Sequence, residues 1–267
     1  MSTVEQIAQQ AGAKAAANLR SWEQVAPDKI NRGIAAIIYA DPGIGKTTLT
    51  STLPVGDTLI ISVESGVGPL IGTGHRVVPI KDIMVNNNMN IEAVMNTLYR
   101  QIRTKEITVG NVVIDNMSEL IKCVLHHFTE MRKKEFPEIK EHGDTAYKIM
   151  EWLNNWRDLT DMGINVVFNA WETQLDIQNS DGTIITKTCP DLGKSSTLRA
   201  CGLVDIVGHL EVFEKTGKRW VRFGPAKQYL TKCQFKGLID KDNPSGGQEP
   251  DLKEIFRKIK DYEYGKC

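Results

Sequence analysis

Apolar residues along this chain form two kinds of pattern. Short, nearly continuous apolar runs stop at glycine or polar residues, which is typical of strands buried on both faces of a parallel sheet. Longer segments between them carry apolar residues at spacings of three and four, which indicates helices with one buried face. The runs lie at residues 34–38, 58–63, 112–114 and 163–170. This alternation predicts an α/β fold with a mostly parallel central sheet flanked by helices.

Polar turns divide the later part of the chain into hairpins. The run Asn-Ser-Asp-Gly at residues 179–182 and the run Lys-Thr-Gly-Lys at residues 215–218 each separate two segments of strand-like composition. Such turns predict C-terminal β-hairpins beside the sheet. Earlier in the chain, Asn90 is predicted to cap one helix, and Asp144 or Thr145 is predicted to cap another.

Both ends of the chain lie outside the predicted core. Residues 1–29 carry an apolar stripe at helical spacing, which fits either a helix packed on its own domain or an arm that docks on a neighbouring subunit. Residues 240–250 are rich in polar residues, Pro and Gly, which indicates a disordered linker before a last helix. We therefore predict an N-terminal helical arm (1–29), a core (30–239), and a linker with a C-terminal helix (240–267).

The segment after the first apolar run has the pattern of a phosphate-binding loop, or P-loop, with Ala40 in place of the usual first glycine. In such a loop, Gly43 and Gly45 let backbone N–H groups turn towards phosphates, and Lys46 reaches the β- and γ-phosphates. The loop lies between a predicted strand and a predicted helix, as this motif requires. We therefore expect ATP to bind here. The predicted binding residues are Asp41, Pro42, Gly43, Ile44, Gly45, Lys46, Thr47 and Thr48.

A metal site and a catalytic acid are predicted at the ends of other strands. Asp115 ends an apolar run as a Walker B acid does, and its carboxylate can hold Mg²⁺ beside the Thr47 hydroxyl. Asn116 follows it, where many ATPases have a catalytic glutamate. That absence favours Glu64, at the end of a strand expected next to the P-loop strand, as the group that polarises the attacking water. The alternative for Glu64 is a solvated loop acid. Asn169, at the end of the last apolar run, is the candidate γ-phosphate sensor.

Composition narrows the class of protein. The formal net charge is zero, so that any nucleic-acid site must be a local patch. The five cysteines lack Cys-x-x-Cys spacing, which argues against a zinc site or a disulfide framework and for a reducing cytoplasm. No apolar run approaches the roughly 20 residues of a membrane span, and no signal-peptide pattern opens the chain. These features predict a soluble intracellular protein with no membrane partner.

Two basic segments are candidates for binding nucleic acid. Residues 132–134, Arg-Lys-Lys, open a polar loop in which the excess of positive charge is small. Residues 215–236 contain seven basic residues and no acid, with aromatic residues among them. The second segment is either a solvated hairpin or a site for DNA phosphates or a neighbour's ATP, and we favour the second interpretation.

The order of these motifs resembles the RecA-like core. More narrowly, it is similar to the phage-encoded single-domain RecA-like proteins of the Sak type, which act as single-strand annealing or recombination-mediator proteins. The resemblance covers residues 30–236 and is carried by ADPGIGKTTL, ISVESG, VVIDNMSEL, HGDTAYKIMEWL, INVVFNAWE, CPDLGKSS, LVDIVGHLEV and YLTKCQF.

The resemblance implies a RecA-like P-loop NTPase core that uses ATP and Mg²⁺. It implies assembly as a homo-oligomeric filament or ring on single-stranded DNA, with annealing or recombination as the outcome, in the cytoplasm of a bacterial host. The resemblance is also compatible with a single-strand-binding protein as a further partner. Glu64 falls at the position of the family's water-activating glutamate.

The resemblance also assigns roles to basic residues. Segments 130–146 and 173–200 fall where RecA-like proteins place their DNA loops. The DNA contacts expected from this placement are Arg132, Lys133, Lys134 and Lys187. Lys194 and Lys232 fall where basic residues reach the adjacent subunit's γ-phosphate. The family's last strand would carry a Lys-x-Arg pair, whereas residues 232–234 are Lys-Cys-Gln, and this departure predicts weak turnover.

Three other functions remain open at the level of sequence. A P-loop kinase would need an arginine-rich lid over the phosphates, whereas the arginines here are scattered. A RecA-type helicase, loader or packaging motor would share the same core, and the sequence shows no added helicase domain. A non-hydrolysing module would use ATP only to order its assembly. Turnover measured with and without DNA separates this module from the others.

Overall fold

The computed structural model describes residues 32–64, 68–178, 182–213 and 216–263. Contacts divide the chain into two compact units, residues 1–31 and residues 32–267. The predicted N-terminal arm falls in the first unit and lies outside the described residues.

A mostly parallel sheet forms the centre of the second unit. Its strands are β1 (Ala35–Ala40), β2 (Thr58–Ser62), β3 (Arg76–Pro79), β4 (Asn111–Asp115), β5 (Asn165–Gln178), β6 (Ile184–Pro190), β7 (Ile206–Val212), β8 (Arg219–Arg222), β9 (Lys232–Cys233) and β10 (Gly247–Gln248). Their order is β10-β8-β7-β1-β5-β4-β2-β3, and every neighbouring pair from β7 to β3 is parallel. Strands β8 and β10 add antiparallel pairs at the β7 edge, and β6 pairs with the far half of β5.

Helices cover both faces of the sheet. They are α1 (Lys46–Thr50), α2 (Ile80–Asn87), α3 (Ile91–Arg103), α4 (Met117–Met131), α5 (Ile139–Arg157), α6 (Thr197–Leu203) and α7 (Leu252–Glu263). The predicted α/β class is therefore confirmed, as are the β5–β6 and β7–β8 hairpins. The cap at Asn90 is confirmed too, because its side chain accepts a hydrogen bond from the backbone N–H of Ala93. Among the described residues, no helix is long and apolar enough to cross a membrane.

The P-loop strand shows why the apolar runs are continuous rather than alternating. In β1, Ile37 and Tyr39 face a cluster that includes Trp152 of α5, whereas Ile38 faces a second cluster that includes Phe256 of α7. Every residue of β1 is buried. Because helices cover both faces, apolar side chains are favoured at every strand position, which strengthens the strand signal in the sequence.

Two boundaries differ from the expectations. Helix α5 begins at Ile139, not near Asp144 or Thr145, because a capping box joins the Glu138 and Glu141 side chains to each other's backbone N–H groups. Residues 240–250 are not a disordered linker. They contain β10, which pairs with β8. In the turn before β10, the Asn243 side chain donates a hydrogen bond to the backbone carbonyl of Gly247.

The order of the strands places the functional segments. Strand β5 lies between β1 and β4, so that the carboxyl ends of all three meet at one edge of the sheet. Strand β2 lies beside β4 and is separated from β1 by β4 and β5. The expectation that the strand before Glu64 lies next to the P-loop strand is therefore wrong.

Candidate functional site

The P-loop connects the end of β1 to the start of α1 around a buried lysine. Gly43 and Gly45 have φ angles of 82° and 111°, a left-handed backbone that residues with a side chain rarely adopt. Lys46 Nζ donates to the carbonyl oxygens of Ala40 and Asp41, each at 2.9 Å. Burial lowers the pKa of Lys46, and the carboxylate of Asp115 opposes that shift. The P-loop thus holds the Lys46 ammonium group at the edge of the sheet, and the loop backbone surrounds that group.

Thr47, Asp115 and Asn169 form a row of hydrogen-bonded side chains beside the lysine. The Thr47 hydroxyl donates to Asp115 Oδ2 at 2.7 Å, and Asn169 Nδ2 donates to Asp115 Oδ1 at 3.1 Å. Asn169 reaches Asp115 because β5 lies beside β4, with Phe168 paired to Ile114. Asn169 is fully buried, and its Oδ1 has no hydrogen-bond partner among the described residues.

These atoms suit a magnesium–nucleotide complex. A hydroxyl oxygen and a carboxylate oxygen lie side by side, which is the oxygen-rich donor set that Mg²⁺ prefers. The lysine and the turned loop amides suit phosphate oxygens. The residues present therefore fit both groups, with Thr47 and Asp115 on the metal side and the P-loop on the phosphate side.

Glu64 lies in the same cleft although its strand is not adjacent to β1. It accepts a hydrogen bond from Asn116 Nδ2. The same Asn116 side chain caps α4 by accepting from the backbone N–H of Glu119 at 2.8 Å. Burial raises the pKa of Glu64, the nearby Asp115 raises it further, and Lys46 opposes the shift. Asn116 thus holds the Glu64 carboxylate, whose pKa is raised. From the sequence, position 116 was notable only because it lacks the glutamate that follows the Walker B acid in many ATPases.

A cleft of about 320 Å³ joins these parts. Its lining residues are Pro42, Gly43, Gly45, Lys46, Thr47, Thr48, Glu64, Pro69, Asp115, Asn116, Trp171 and Arg219. The predicted residue Asn169 does not line the cleft, but it is hydrogen-bonded to Asp115, which does. The predicted residue Asp41 is exposed. Sequence reasoning missed Asn116, Trp171 and Arg219. For Asn116, a signal was available, because asparagine before an apolar helical pattern is a strong N-cap.

The predicted DNA contacts do not form one free basic cluster. Arg132 is bonded to Glu141 at 2.7 Å and also to Asp144, and Lys134 is paired with Glu138 at 2.8 Å. Arg132 lowers the pKa of Glu141 to about 2. Two of the three cations at residues 132–134 are therefore already paired with carboxylates at the α4–α5 corner.

The remaining predicted cations are spread over the surface. Lys133 is exposed and has no ion pair among the described residues, whereas Lys187 Nζ donates to the carbonyl of Ala226 at 3.3 Å. Lys194 is exposed in the turn before α6. Lys232 Nζ donates to the carbonyl oxygens of Gly202 and Val204 at 2.8 and 2.6 Å, and burial lowers its pKa.

The basic segment at residues 215–236 also divides into paired and free cations. Arg222 is paired with Glu211 at 2.8 Å. Lys218, Lys227 and Lys236 are exposed and have no ion pair within the described parts of the chain. Three lysines thus stay available to a partner: Lys218 in the β7–β8 hairpin, Lys227 in the loop after it, and Lys236 after β9.

Comparison with known proteins places the chain in a family. A model of the AAA domain family matches residues 32–235. No curated protein is significantly similar to the sequence. Among solved structures, the crystal structure of the RadB recombinase matches at 13% sequence identity and a TM-score of 0.44, over 72% of this chain and 80% of that chain. Because the family model covers well over half of the sequence and includes the P-loop cleft, this chain belongs to the AAA domain family.

Proposed function

We propose that this protein is an ATP-binding RecA-like protein that assembles on single-stranded DNA and promotes ATP-dependent annealing or recombination. In the narrower form of the proposal, it acts as a phage protein of the Sak type in the cytoplasm of a bacterial host. The P-loop, the position of Asp115 on β4, which only β5 separates from the P-loop strand β1, and the family membership support the nucleotide part. The DNA part and the oligomer rest on the resemblance of the motifs.

The chemistry proposed for the cleft is hydrolysis of ATP. Lys46 and the loop amides would hold the β- and γ-phosphates, and Thr47 and Asp115 would hold Mg²⁺, which supplies neutralisation of the developing charge. Glu64 would accept a proton from the water that attacks the γ-phosphorus, and ADP would leave with the bridging oxygen. The raised pKa of Glu64 suits a group that must take up this proton.

Strand β5 supports the proposal that the cleft and DNA are coupled. Its first six residues are buried in the sheet, and they carry Asn169, which is bonded to Asp115. Its second half leaves the sheet and pairs with β6 as a hairpin, where Ile184 is 67% exposed. A displacement of Asn169 by the γ-phosphate would therefore be transmitted along one continuous strand to an exposed hairpin.

The candidate DNA surface combines this hairpin with the free cations. Lys218, Lys227 and Lys236 are exposed and unpaired within the described residues, whereas Arg132 and Lys134 already have acidic partners. Free ammonium groups can neutralise phosphates without first breaking an internal ion pair. We therefore favour the segment after β7 over residues 132–134 as the phosphate-binding surface. Lys194, exposed before α6, stays a candidate for contact with a neighbour's ATP.

The proposal is tested by nucleotide-dependent DNA binding. Fluorescence anisotropy of a labelled single strand would be measured with ATP, with ADP and without nucleotide, and with duplex DNA as the control. We expect ATP to tighten binding to the single strand in the wild type and to have no effect in Lys46→Ala. Equal binding under all nucleotide conditions would contradict the coupling. Annealing of complementary strands and the oligomeric state on DNA would be measured in the same samples.

A further inference from the structure

Arg219 lies against the P-loop although it is distant from it in sequence. It begins β8, and its Nε donates to the carbonyl oxygen of Ile44 at 2.8 Å. A Cβ atom placed on Gly45 would lie 3.4 Å from the same Nε, so that the guanidinium passes directly over the loop. Arg219 is also one of the residues that line the candidate nucleotide cleft.

The rest of the Arg219 guanidinium is available. Within the described residues, neither of its terminal nitrogens has a hydrogen-bond partner, and no carboxylate lies within ion-pair distance. Arg222, at the other end of the same strand, differs in this respect because it is paired with Glu211 at 2.8 Å. An arginine has five N–H donors in a planar group, of which Ile44 occupies one.

The charge of the cleft calls for a second cation. Among the described lining residues, Glu64 and Asp115 are the acids, and Lys46 and Arg219 are the bases. A bound triphosphate would bring further negative charge next to the two carboxylates. A guanidinium stays charged at any physiological pH and binds phosphate oxygens through two donors at once.

We infer that Arg219 is a second phosphate-binding residue, which holds the polyphosphate of a nucleoside triphosphate from β8 while its Nε anchors it to the P-loop. This inference rests on the proposed function of the cleft. It makes the β7–β8 hairpin part of the nucleotide site. Arg219 would then connect the nucleotide to the β7–β8 hairpin, which also carries the free lysine Lys218.

The test is an equilibrium titration of the full-length protein with a fluorescent ATP analogue and Mg²⁺ at several salt concentrations. The variants are Arg219→Ala and Arg219→Gln. Arg103→Ala is the matched control, since Arg103 is an exposed arginine of α3 that has no ion pair among the described residues and does not line the cleft. Lys46→Ala reports on the cleft itself. Thermal melting of each variant shows that it is folded, and Arg219→Gln keeps a side-chain donor for Ile44 if the alanine variant does not fold.

We expect Arg219→Ala and Arg219→Gln each to weaken binding by about 10- to 100-fold, as the loss of a charged hydrogen bond does, and to flatten its dependence on salt. Arg103→Ala should bind as the wild type does. Wild-type affinity in Arg219→Gln would overturn the inference, because Arg219 would then act only as a donor to Ile44. Wild-type affinity in Arg219→Ala would overturn it as well. If Lys46→Ala also bound the analogue as tightly as the wild type, the proposed function of the cleft would fail and the inference with it.

Discussion

The nucleotide cleft and the basic segments both concentrate cationic side chains, but they hold them differently. In the cleft, Lys46 is buried and its bonds are to backbone carbonyls, while Arg219 has no acidic partner among the described residues. At residues 132–134, two of the three cations are paired with carboxylates of the next helix. The number of basic residues in a segment therefore does not identify a phosphate-binding site. What identifies it is whether a cation keeps donors that the protein itself does not use.

Replacing Glu64 should change the rate of ATP hydrolysis more than the variants that follow change affinity, stability or salt dependence. Glu64→Gln keeps the size of the side chain but removes the proton acceptor, so we expect kcat to fall by about 10²- to 10⁴-fold while ATP affinity stays near the wild-type value. Steady-state ATPase assays and an ATP-binding titration check the two quantities. Unchanged kcat would return Glu64 to the role of a solvated acid held by Asn116. Glu92→Gln is the control, since Glu92 is paired with Lys148 and does not line the P-loop cleft.

A smaller effect is expected on affinity. Lys46→Ala removes an ammonium group that the cleft offers to phosphates, and we expect binding of ATP to weaken by about 10- to 100-fold or more. Isothermal titration calorimetry measures this directly. Thermal melting supplies the control, because Lys46 bonds only backbone carbonyls of its own loop, and we expect Tm to change little. Retained affinity in a folded variant would break the contrast between the cleft and the basic segments.

The α4–α5 corner should respond in stability rather than in binding. Arg132→Ala leaves the buried Glu141 without its cation, so we expect a lower Tm, whereas Lys134→Ala should change Tm little because its pair with Glu138 is exposed. If Arg132 instead served DNA, its removal would weaken DNA binding at unchanged Tm.

The same corner carries a pH dependence. The pKa of Glu141 is lowered from 4.5 to about 2, so its contribution to stability is fully present above pH 4.5 and is lost as the pH falls towards 2. Glu141→Gln lacks this contribution. We therefore expect the wild type to be more stable than Glu141→Gln at neutral pH, and the difference to shrink through this acid window. Denaturant unfolding at several pH values measures it, and a difference independent of pH would contradict the assignment.

The smallest effect is on the salt dependence of DNA binding. The double variant Lys218→Ala/Lys227→Ala removes two free cations, so the slope of log affinity against log salt should flatten by about 0.7 for each lost contact with a single strand. Lys134→Ala removes a cation that is already paired with Glu138, so it serves as the control and should leave the slope nearly unchanged. The opposite pattern would transfer the DNA surface to residues 132–134.

The parts of this account that sequence could predict are those with local signals. The P-loop is a strand, a glycine turn and a helix within one short segment, and Asp115 and Asn169 each end a buried run. Periodicity likewise predicted the helices on both faces. The start of α5 was misplaced because Glu138, the residue that caps it, is not a preferred N-cap, although its capping box with Glu141 closes normally.

The rest depends on contacts between distant parts of the chain. Arg219 and Ile44 are 175 positions apart, and Asn116 and Glu64 are 52 apart. Nothing in the local pattern of β8 distinguishes Arg219, which reaches the P-loop, from Arg222, which pairs with Glu211. The order of the strands is equally hidden, since β2 follows β1 in sequence yet lies beside β4. Composition failed at residues 240–250 for the same reason, because β10 forms only against β8.

The central claim is that the nucleotide cleft and single-stranded DNA are coupled, and the ATPase rate with and without DNA tests it most directly. The rate would be measured for the wild type alone, with single-stranded DNA and with duplex DNA, with Lys46→Ala as the background. We predict that single strands increase the rate, that duplex DNA does not, and that Lys46→Ala shows no turnover in any condition. A wild-type rate that is the same with and without single-stranded DNA would contradict the coupling.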